Sequence, residues 1–572
     1  MDAASFKIGV PDIHYFYKPK MKYFLRFLLT FLFCIKSILG TSLVSLGPSP
    51  IIQTSTGPIQ GITTSYAYAY LGVPFSGQPL RFAPPFTHPG WSTVLNASTF
   101  SAGCIEYVAT SPRYNTTTTT TNTNNNNPII DTENGCLTVN IFMPFTYITG
   151  NPVIIWIHGG GFIGGNGNSD LSYFANQTGS LIVSVNYRLG TTGYFNLPGM
   201  NPAYPTPTDP NAACPNVGLL DQQFALAWTY ANAAAFGANN SNTLIHGQSA
   251  GGSSIMFQLT LPGSYSYYKA AIPMSPGAPV NPTIQAQTTA NDIATAVNCP
   301  SSLGYTAQLA CLRNVDINTL ITASINVAQT GFLPLTLGPS IDNSLVLAAP
   351  ATAFLNGNFN RNAHIVTTEC LFEGDSLLVG YNHLVTMNSS TSQQALLEYA
   401  RMVGFNSSTN NYMASFYTNI AVTDGYFNGS TRMWGDGLIA CSSAAAAHGA
   451  AKYSNYPTYR FLWNTTLQQQ LGTAQPAGRS THGTDLPFYF NTANYFTTAE
   501  ASVQQDLYTW LISLVVNNDV NANGPRGKFR IDWPAYDNNG ENTLLVVNEL
   551  GEYSTVQTWQ EEYCNQWWIV QP

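Results

Sequence analysis

Short apolar runs alternate with amphipathic segments along most of the chain beyond residue 137. The runs at 152–157 and 180–187 are almost wholly apolar, which is typical of parallel strands buried on both faces. Runs of this kind predict strands at residues 137–142, 152–157, 180–187, 243–246, 270–274, 364–368 and 458–463. Apolar side chains recur at helical spacing over 218–236 and again over 253–259. Strands that alternate with helices predict an α/β fold with a mostly parallel central sheet flanked by helices.

The part of the chain before residue 137 has a different pattern. Short strands at 57–61 and 67–73 predict a meander that precedes the parallel sheet. Residues 115–127 read NTTTTTTNTNNNN, a low-complexity tract that cannot contribute to a core and is predicted to be a disordered insertion. No other change in composition marks a boundary, so we expect residues 41–572 to form a single large domain.

The first 40 residues have the pattern of a secretory signal. Basic residues from Lys18 to Arg26 precede the short apolar run 27–35, and small residues follow at 37–41. The run is too short to span a bilayer, so we expect cleavage near Gly40 and a secreted or lumenal protein with no stable membrane span. Twenty residues precede the signal, which leaves two alternatives open: a start at Met21, or a signal anchor.

Charged residues are scarce, and the few present are mainly acidic. They make up 8% of the chain, the net charge is -8 and the pI is near 5.4, which argues against a nucleic-acid partner. Polarity comes mainly from uncharged side chains, and attached glycans would add to solubility. N-x-[ST] sequons predict glycosylation at Asn96, Asn115, Asn176, Asn239, Asn388, Asn406, Asn428 and Asn464.

The cysteines indicate an oxidising compartment. Of the nine, Cys34 would leave with the signal, and the even number that remains predicts disulfides. The chain contains no C-x-x-C pair and its histidines are scattered, so no metal site is expected.

The first candidate for chemistry is Ser249, in the stretch HGQSAGGSS. A G-x-S-x-G match in a chain with 47 glycines also fits a glycine-rich turn that carries a surface serine. The flanking pattern favours a nucleophile, because a predicted strand precedes Ser249 and a predicted helix follows it. In that position the serine would lie at a helix N-terminus, where partial positive charge stabilises an anion.

A second glycine-rich stretch, WIHGGGFIGGNG, follows the predicted strand at 152–157. It contains G-x-G-x-x-G, the pattern of a dinucleotide-binding loop. The next strand should then end in an acidic residue, but it ends in Asn186-Tyr187-Arg188, and no Gly-Lys-Ser/Thr follows for a P-loop. The alternative is an oxyanion loop, whose glycines present bare N–H groups to a developing negative charge. We expect His158 to have a structural role in this loop.

Several motifs in succession resemble one family, the type-B carboxylesterase and cholinesterase-like branch of the α/β hydrolases. These are YLGVPF, RFAPP, GCLTVNIFMP, WIHGGGF, VNYRLG, NVGLLDQQFALAW, GQSAGG, GPSID, FEG and THGTDLPFYF. They occur in the order of the family and cover nearly the whole chain after the signal. The resemblance implies an α/β-hydrolase fold and a serine hydrolase that acts on small-molecule or lipid esters without a cofactor.

By this resemblance the catalytic triad is Ser249 as nucleophile, Glu373 as acid and His482 as base. Gly160, Gly161 and Ala250 would supply the N–H groups of the oxyanion hole. The order Ser, Glu, His is that of α/β hydrolases, and each of the three follows a predicted strand. Phe372 stands where the family usually has Asp, which keeps Glu369 as the alternative acid. Taken alone, His482 also fits a surface histidine beside Asp485.

The resemblance also implies structural pairs and limits the substrate. The implied disulfides are Cys104–Cys136, Cys299–Cys311 and Cys441–Cys564, and we expect the remaining Cys214 and Cys370 to pair, two free thiols being the alternative. Arg188 would pair with Asp221, and Glu133 is the candidate partner of Arg81.

Two departures from the family concern the substrate. Gln248 replaces the usual Glu before the nucleophile, and the segment 105–135 lacks the Trp with which choline-binding members contact a cation. Neutral esters are therefore expected. The alternative functions are a catalytically idle adhesion or storage glycoprotein on the same fold, and an amidase or other acyl transferase.

Overall fold

The computed structural model describes residues 43–107, 135–145, 150–200, 212–277, 280–328, 337–379, 417, 426–465, 479–490, 496–522, 532–536, 543–548, 551–557 and 564. Several predictions concern residues outside this part: the signal at 1–40, the insertion at 115–127, the glutamate Glu133 and three of the sequons. The other five predicted glycosylation sites are described, and each is at least partly exposed to solvent.

The strands of the described chain form one mixed sheet. They are β1 (Pro48–Gln53), β2 (Pro58–Thr63), β3 (Ala67–Pro74), β4 (Leu95–Asn96), β5 (Thr138–Pro144), β6 (Val153–Ile157), β7 (Leu181–Val185), β8 (Thr243–Gln248), β9 (Ala270–Met274), β10 (His364–Cys370), β11 (Tyr459–Trp463), β12 (Thr543–Val547) and β13 (Tyr553–Gln557). Their order is β1-β2-β3-β5-β7-β6-β8-β9-β10-β11-β12-β13, and β4 pairs with β2.

Helices connect and cover these strands. They are α1 (Ser172–Thr178), α2 (Gly190–Tyr194), α3 (Val217–Asn232), α4 (Ala250–Thr260), α5 (Thr283–Ala296), α6 (Tyr305–Asn314), α7 (Ile317–Ala328), α8 (Pro350–Leu355), α9 (Glu373–Val379), α10 (Tyr426–Gly435), α11 (Cys441–Tyr453), α12 (Leu486–Phe490) and α13 (Thr498–Asn517). A π-helical segment, Asp436–Ala440, joins α10 to α11.

The predicted α/β fold with a mostly parallel sheet is confirmed. The strands from β7 through β12 all pair in parallel, and the antiparallel meander lies at the N-terminal side of the sheet. Every residue of β6 and β7 is buried, as expected for strands covered by helices on both faces. The helix predicted at 218–236 is α3 followed by a 3₁₀ turn over Ala233–Phe236, which ends at Gly237 in the left-handed conformation.

Two arginines of the described chain bind groups from distant parts of the sequence. Arg188 and Asp221 form the predicted ion pair, with Nε–Oδ2 and Nη2–Oδ1 distances of 2.8 and 2.7 Å. The fork geometry matches guanidinium to carboxylate and offsets the cost of removing both charges from water. Arg81 donates to the carbonyls of Leu312 and Val315 at the end of α6, because that helix end leaves acceptors unsatisfied.

The disulfides Cys104–Cys136, Cys299–Cys311 and Cys441–Cys564 are present as the resemblance implies. The expected pairing of Cys214 with Cys370 is wrong, because both are free and buried in different surroundings. Cys214 lies near Arg188 and Asp221, whereas Cys370 ends β10 beside Glu373. Burial raises the pKa of the Cys214 thiol to about 12 and that of Cys370 well above its ordinary value, so neither is a reactive thiolate at neutral pH.

Within the described part of the chain, no helix combines the length and apolar character needed to cross a membrane. The longest of them, α13, begins with a capping box in which Thr497 and Glu500 exchange hydrogen bonds. Its buried face carries Leu507, Trp510 and Leu514, which belong to the same core cluster as strands β10 and β11. This helix therefore covers one face of the sheet.

The imidazole of His246 lies in this core and lacks a hydrogen-bond partner for either ring nitrogen within the described residues. His246 is fully buried in β8. Its ring makes an edge-to-face contact with Trp156 and a tilted contact with Tyr489. Burial lowers its pKa from 6.5 to about 3. The folded protein therefore holds a neutral ring at a pH where the unfolded chain binds a proton.

We predict that His246→Phe stabilises the fold by about 1–3 kcal/mol at pH 7, because it removes unsatisfied buried polar atoms. Below pH 6.5 the free energy of unfolding of the wild type should fall by up to about 1.4 kcal/mol per pH unit, because the unfolded chain binds a proton at His246 and the folded protein does not. The variant lacks this contribution. Denaturant unfolding at pH 7 and pH 5 measures both effects. His88→Phe is the contrast, since His88 Nδ1 accepts the Gly90 N–H; equal effects of the two substitutions would contradict the prediction.

Candidate active site

Ser249 stands at a sharp turn between β8 and α4. Its φ of 62° is unusual for a residue with a side chain, and such strain persists where the surroundings impose it. The Ser249 N–H donates to the Met274 carbonyl at 3.0 Å, which ties the turn to the end of β9. A Cβ at Gly247 or Gly251 would overlap the carbonyl oxygen of Ile157, so only glycine allows β8, α4 and β6 to approach this closely.

Glu373 and His482 meet beside this turn. Glu373 begins α9 just after β10, and His482 lies in the loop that follows β11. The distance from His482 Nδ1 to Glu373 Oε2 is 2.5 Å, and both side chains are 2% exposed. The reading of His482 as a surface histidine is wrong. The contact to a carboxylate gives the ring an Nδ1–H tautomer and leaves Nε2 as the basic nitrogen.

The other carboxylate oxygen of Glu373 is held by two donors. Ser275 Oγ and the Cys370 N–H each lie 2.6 Å from Oε1. Ser275 is buried and has a φ of 42°, a second strained residue at the site. The two donors fix the carboxylate so that Oε2 faces the imidazole. Ser275 was not predicted from the sequence, where its only signal is its position directly after a predicted strand.

The alternative acid, Glu369, is committed to a different ion pair. Its carboxylate accepts from Arg460 Nη2 and from Ser443 Oγ, each at 2.5 Å, and all of these groups are buried. The side chains of Glu369 and Arg460 are both 0% exposed. Glu369 is therefore a structural residue in the described chain, and the carboxylate at His482 is that of Glu373.

The loop after β6 carries the glycines of the proposed oxyanion hole. Gly160 and Gly161 have φ values of 116° and 64°, and the Gly160 carbonyl accepts the N–H groups of Ile163 and Gly164. Within the described residues, the N–H groups of Gly160, Gly161 and Ala250 donate to no other group. Three N–H groups without an acceptor near a serine can bind an oxyanion.

Side chains behind the loop hold it in place. Asn186 Oδ1 accepts the Gly167 N–H at 2.7 Å, and Asn140 Nδ2 donates to the Gly167 carbonyl at 3.0 Å. His158 stacks on Tyr187 with ring centroids 4.4 Å apart, and burial lowers its pKa to about 4. A neutral, stacked imidazole fits the structural role expected for His158. Asn186 stands where a dinucleotide site needs an acid, so the geometry does not support that alternative.

Two further polar groups lie against His482. Gln248, the residue before Ser249, places its side-chain Nε2 3.2 Å from His482 Nε2. Burial raises the pKa of Asp485 to about 7, the charge of Glu373 adds to the rise, and His482 opposes it. No group of three His, Cys, Asp or Glu side chains within the described residues could hold a metal ion. A serine, an imidazole and a carboxylate in this arrangement can supply a nucleophile, a base and an orienting acid for acyl transfer.

Comparisons with known proteins show which sequences this chain resembles. A sequence profile described as the Carboxylesterase family matches residues 48–567, and that family has the α/β-hydrolase fold. The chain is 32% identical over 338 residues to an acetylcholinesterase from Electrophorus electricus. The aligned region covers 56% of this chain and 50% of that protein. The chain thus spans about half the length of that relative. It is 26% identical over 524 residues to a para-nitrobenzyl esterase from Bacillus subtilis (strain 168), covering 87% of this chain and 95% of that protein.

We predict that Gly251→Ala prevents the turn at Ser249 from forming, because the added Cβ overlaps the Ile157 carbonyl. The loss in stability should be at least about 3 kcal/mol, as for severe overpacking. Gly179→Ala is the control for a methyl group added in open space. Gly179 has a positive φ of 63°, which Gly251 does not, but a Cβ there meets no atom within 4 Å, so only the backbone strain of about 1 kcal/mol is expected. Thermal or denaturant unfolding compares them, and equal losses would contradict the packing argument.

Proposed function

The chain belongs to the carboxylesterase family, and we propose that it is a secreted serine carboxylic-ester hydrolase that uses Ser249, His482 and Glu373. The observation that carries the proposal is the 2.5 Å contact between His482 Nδ1 and Glu373 Oε2 beside the strained turn of Ser249. A serine, a histidine and a glutamate from three separate segments of the chain come together in one buried region, which a purely structural role does not require.

The proposed reaction proceeds through an acyl-enzyme. His482 Nε2 takes the proton of Ser249 Oγ as this oxygen bonds to the ester carbonyl carbon, and the carbonyl electron pair moves to oxygen. The N–H groups of Gly160, Gly161 and Ala250 bind the resulting oxyanion, each with an effect of about 3 kcal/mol on the barrier. The alkoxide then leaves with the proton from Nε2. Water repeats both steps and releases the acid.

Local charge favours neutral ester substrates. Gln248 puts an uncharged amide beside the base where a carboxylate would attract a cation. The substrates proposed are therefore small-molecule or lipid esters without a cationic alcohol group, and the chemistry proposed needs no cofactor. Three disulfides fit a secreted or lumenal glycoprotein. A catalytically idle adhesion or storage protein would have no use for a buried His482–Glu373 pair beside a strained serine, or for an oxyanion loop whose N–H groups donate to no other described group.

The first prediction from this proposal concerns the nucleophile. The secreted, glycosylated protein should hydrolyse neutral p-nitrophenyl esters, and Ser249→Ala should reduce kcat by at least about 10⁴-fold. An organophosphate should label Ser249 in the wild type. Comparison of short and long acyl chains separates an esterase from a lipase. A folded protein that neither turns over any ester nor reacts at Ser249 would favour the idle alternative.

The second prediction separates the two candidate acids. Glu373→Gln should lower kcat by about 10²–10⁴-fold, because the imidazole loses the carboxylate that orients it and stabilises its cation. Glu369→Gln should leave kcat within a few-fold, yet destabilise the fold by about 3–5 kcal/mol through the buried charge of Arg460. The kcat values are measured at a temperature where both variants are folded. Denaturant unfolding measures the loss of stability. The opposite pattern would make Glu369 the acid.

A further inference from the structure

We propose that Gln248 caps the general base of the resting enzyme, so that its amide and not the Ser249 hydroxyl is hydrogen-bonded to His482 Nε2. The nucleophile is then activated only when a substrate draws the amide away. This inference rests on the proposed function, because it assigns to Gln248 a role relative to that triad. Gln248 is a positioning residue in this scheme and takes no part in bond making or breaking.

The orientation of the amide follows from the proton on the other ring nitrogen. His482 Nδ1 lies 2.5 Å from Glu373 Oε2, so Nδ1 carries the hydrogen of the neutral ring. His482 Nε2 then has only a lone pair and can only accept. The group 3.2 Å away must therefore be the Gln248 amide N–H, because the amide oxygen there would oppose a second acceptor.

The cap competes directly with the nucleophile. An imidazole nitrogen has one in-plane lone pair, so it accepts one strong hydrogen bond at a time. Within the described residues, Ser249 Oγ makes no hydrogen bond, and the nitrogen that should accept from it is occupied by the preceding side chain. Gln248 is 2% exposed and ends β8, so the strand holds it at this place.

An ester substrate would offer the Gln248 amide another hydrogen-bond acceptor in place of His482 Nε2. Its carbonyl and alkoxy oxygens are acceptors that arrive next to Ser249, and the Gln248 N–H can donate to one of them instead of to His482. Nε2 is then free for the Ser249 hydroxyl, and the proton transfer described above can begin. A glutamate carboxylate could not act in this way, because it has no hydrogen to donate to the lone pair.

The test is the reactivity of Ser249 toward a reagent that does not depend on ester recognition. Gln248→Met keeps the length of the side chain and removes its donor. We expect diisopropyl fluorophosphate to modify Ser249 in this variant roughly two- to ten-fold faster than in the wild type, the effect of one hydrogen bond that no longer has to break. A residue with a merely structural role would slow the reaction when replaced. Gln504→Met is the matched control, since Gln504 is also buried but donates to the Phe488 carbonyl and not to His482.

Crystal structures of the wild type and of Gln248→Met provide a readout that is independent of activity. The wild type should have the amide at Nε2, and the variant should have Ser249 Oγ within hydrogen-bond distance of Nε2. A wild type in which Ser249 already contacts Nε2, or a folded variant that reacts at or below the wild-type rate, would overturn the cap. If the wild type neither reacts at Ser249 nor hydrolyses esters, the proposed function fails instead, and the two structures still decide where the amide lies.

Discussion

The site depends on the close approach of three backbone segments: the ends of β6 and β8 and the start of α4. Gly247 and Gly251 face the Ile157 carbonyl so closely that no Cβ fits, and Gly159 is equally close to the Gln248 carbonyl. This contact forces the φ of 62° at Ser249 and sets the oxyanion loop beside it. The distances between the reacting groups are therefore a consequence of backbone packing, which does not relax as side chains do.

The fold was largely predictable because its signals are local. Buried parallel strands have apolar runs that can be recognised directly, and the boundaries of β9 agree with the predicted run. Ser249 and His482 lie in short motifs, so their positions were also predictable. The hydrogen bond of Ser275 to Glu373 and the contact of Gln248 with His482 were not, because each joins residues from different strand ends whose separation only the folded sheet determines. The predicted pairing of Cys214 with Cys370 was wrong for the same reason, since an even number of cysteines does not indicate which of them lie close together in the fold.

Although the chain has few charged residues, two of its ion pairs are buried. Arg188 with Asp221 and Arg460 with Glu369 are enclosed in the protein, while the surface relies on uncharged polar side chains. Buried pairs of this kind are costly to break one partner at a time. They also distinguish the two candidate acids, because Glu369 is bound to the guanidinium of Arg460 whereas Glu373 contacts the imidazole of His482.

The disulfide between Cys441 and Cys564 has a sequence separation of 123 residues, and His482 lies inside the loop that it closes, whereas Ser249 and Glu373 lie outside. His482 is thus connected to the rest of the site by two covalent routes, the chain and the bridge. A proteolytic cut on either side of His482 within this loop would open the polypeptide and leave both fragments joined. Nicked protein could keep Ser249, Glu373 and His482 together as long as the bridge stays oxidised.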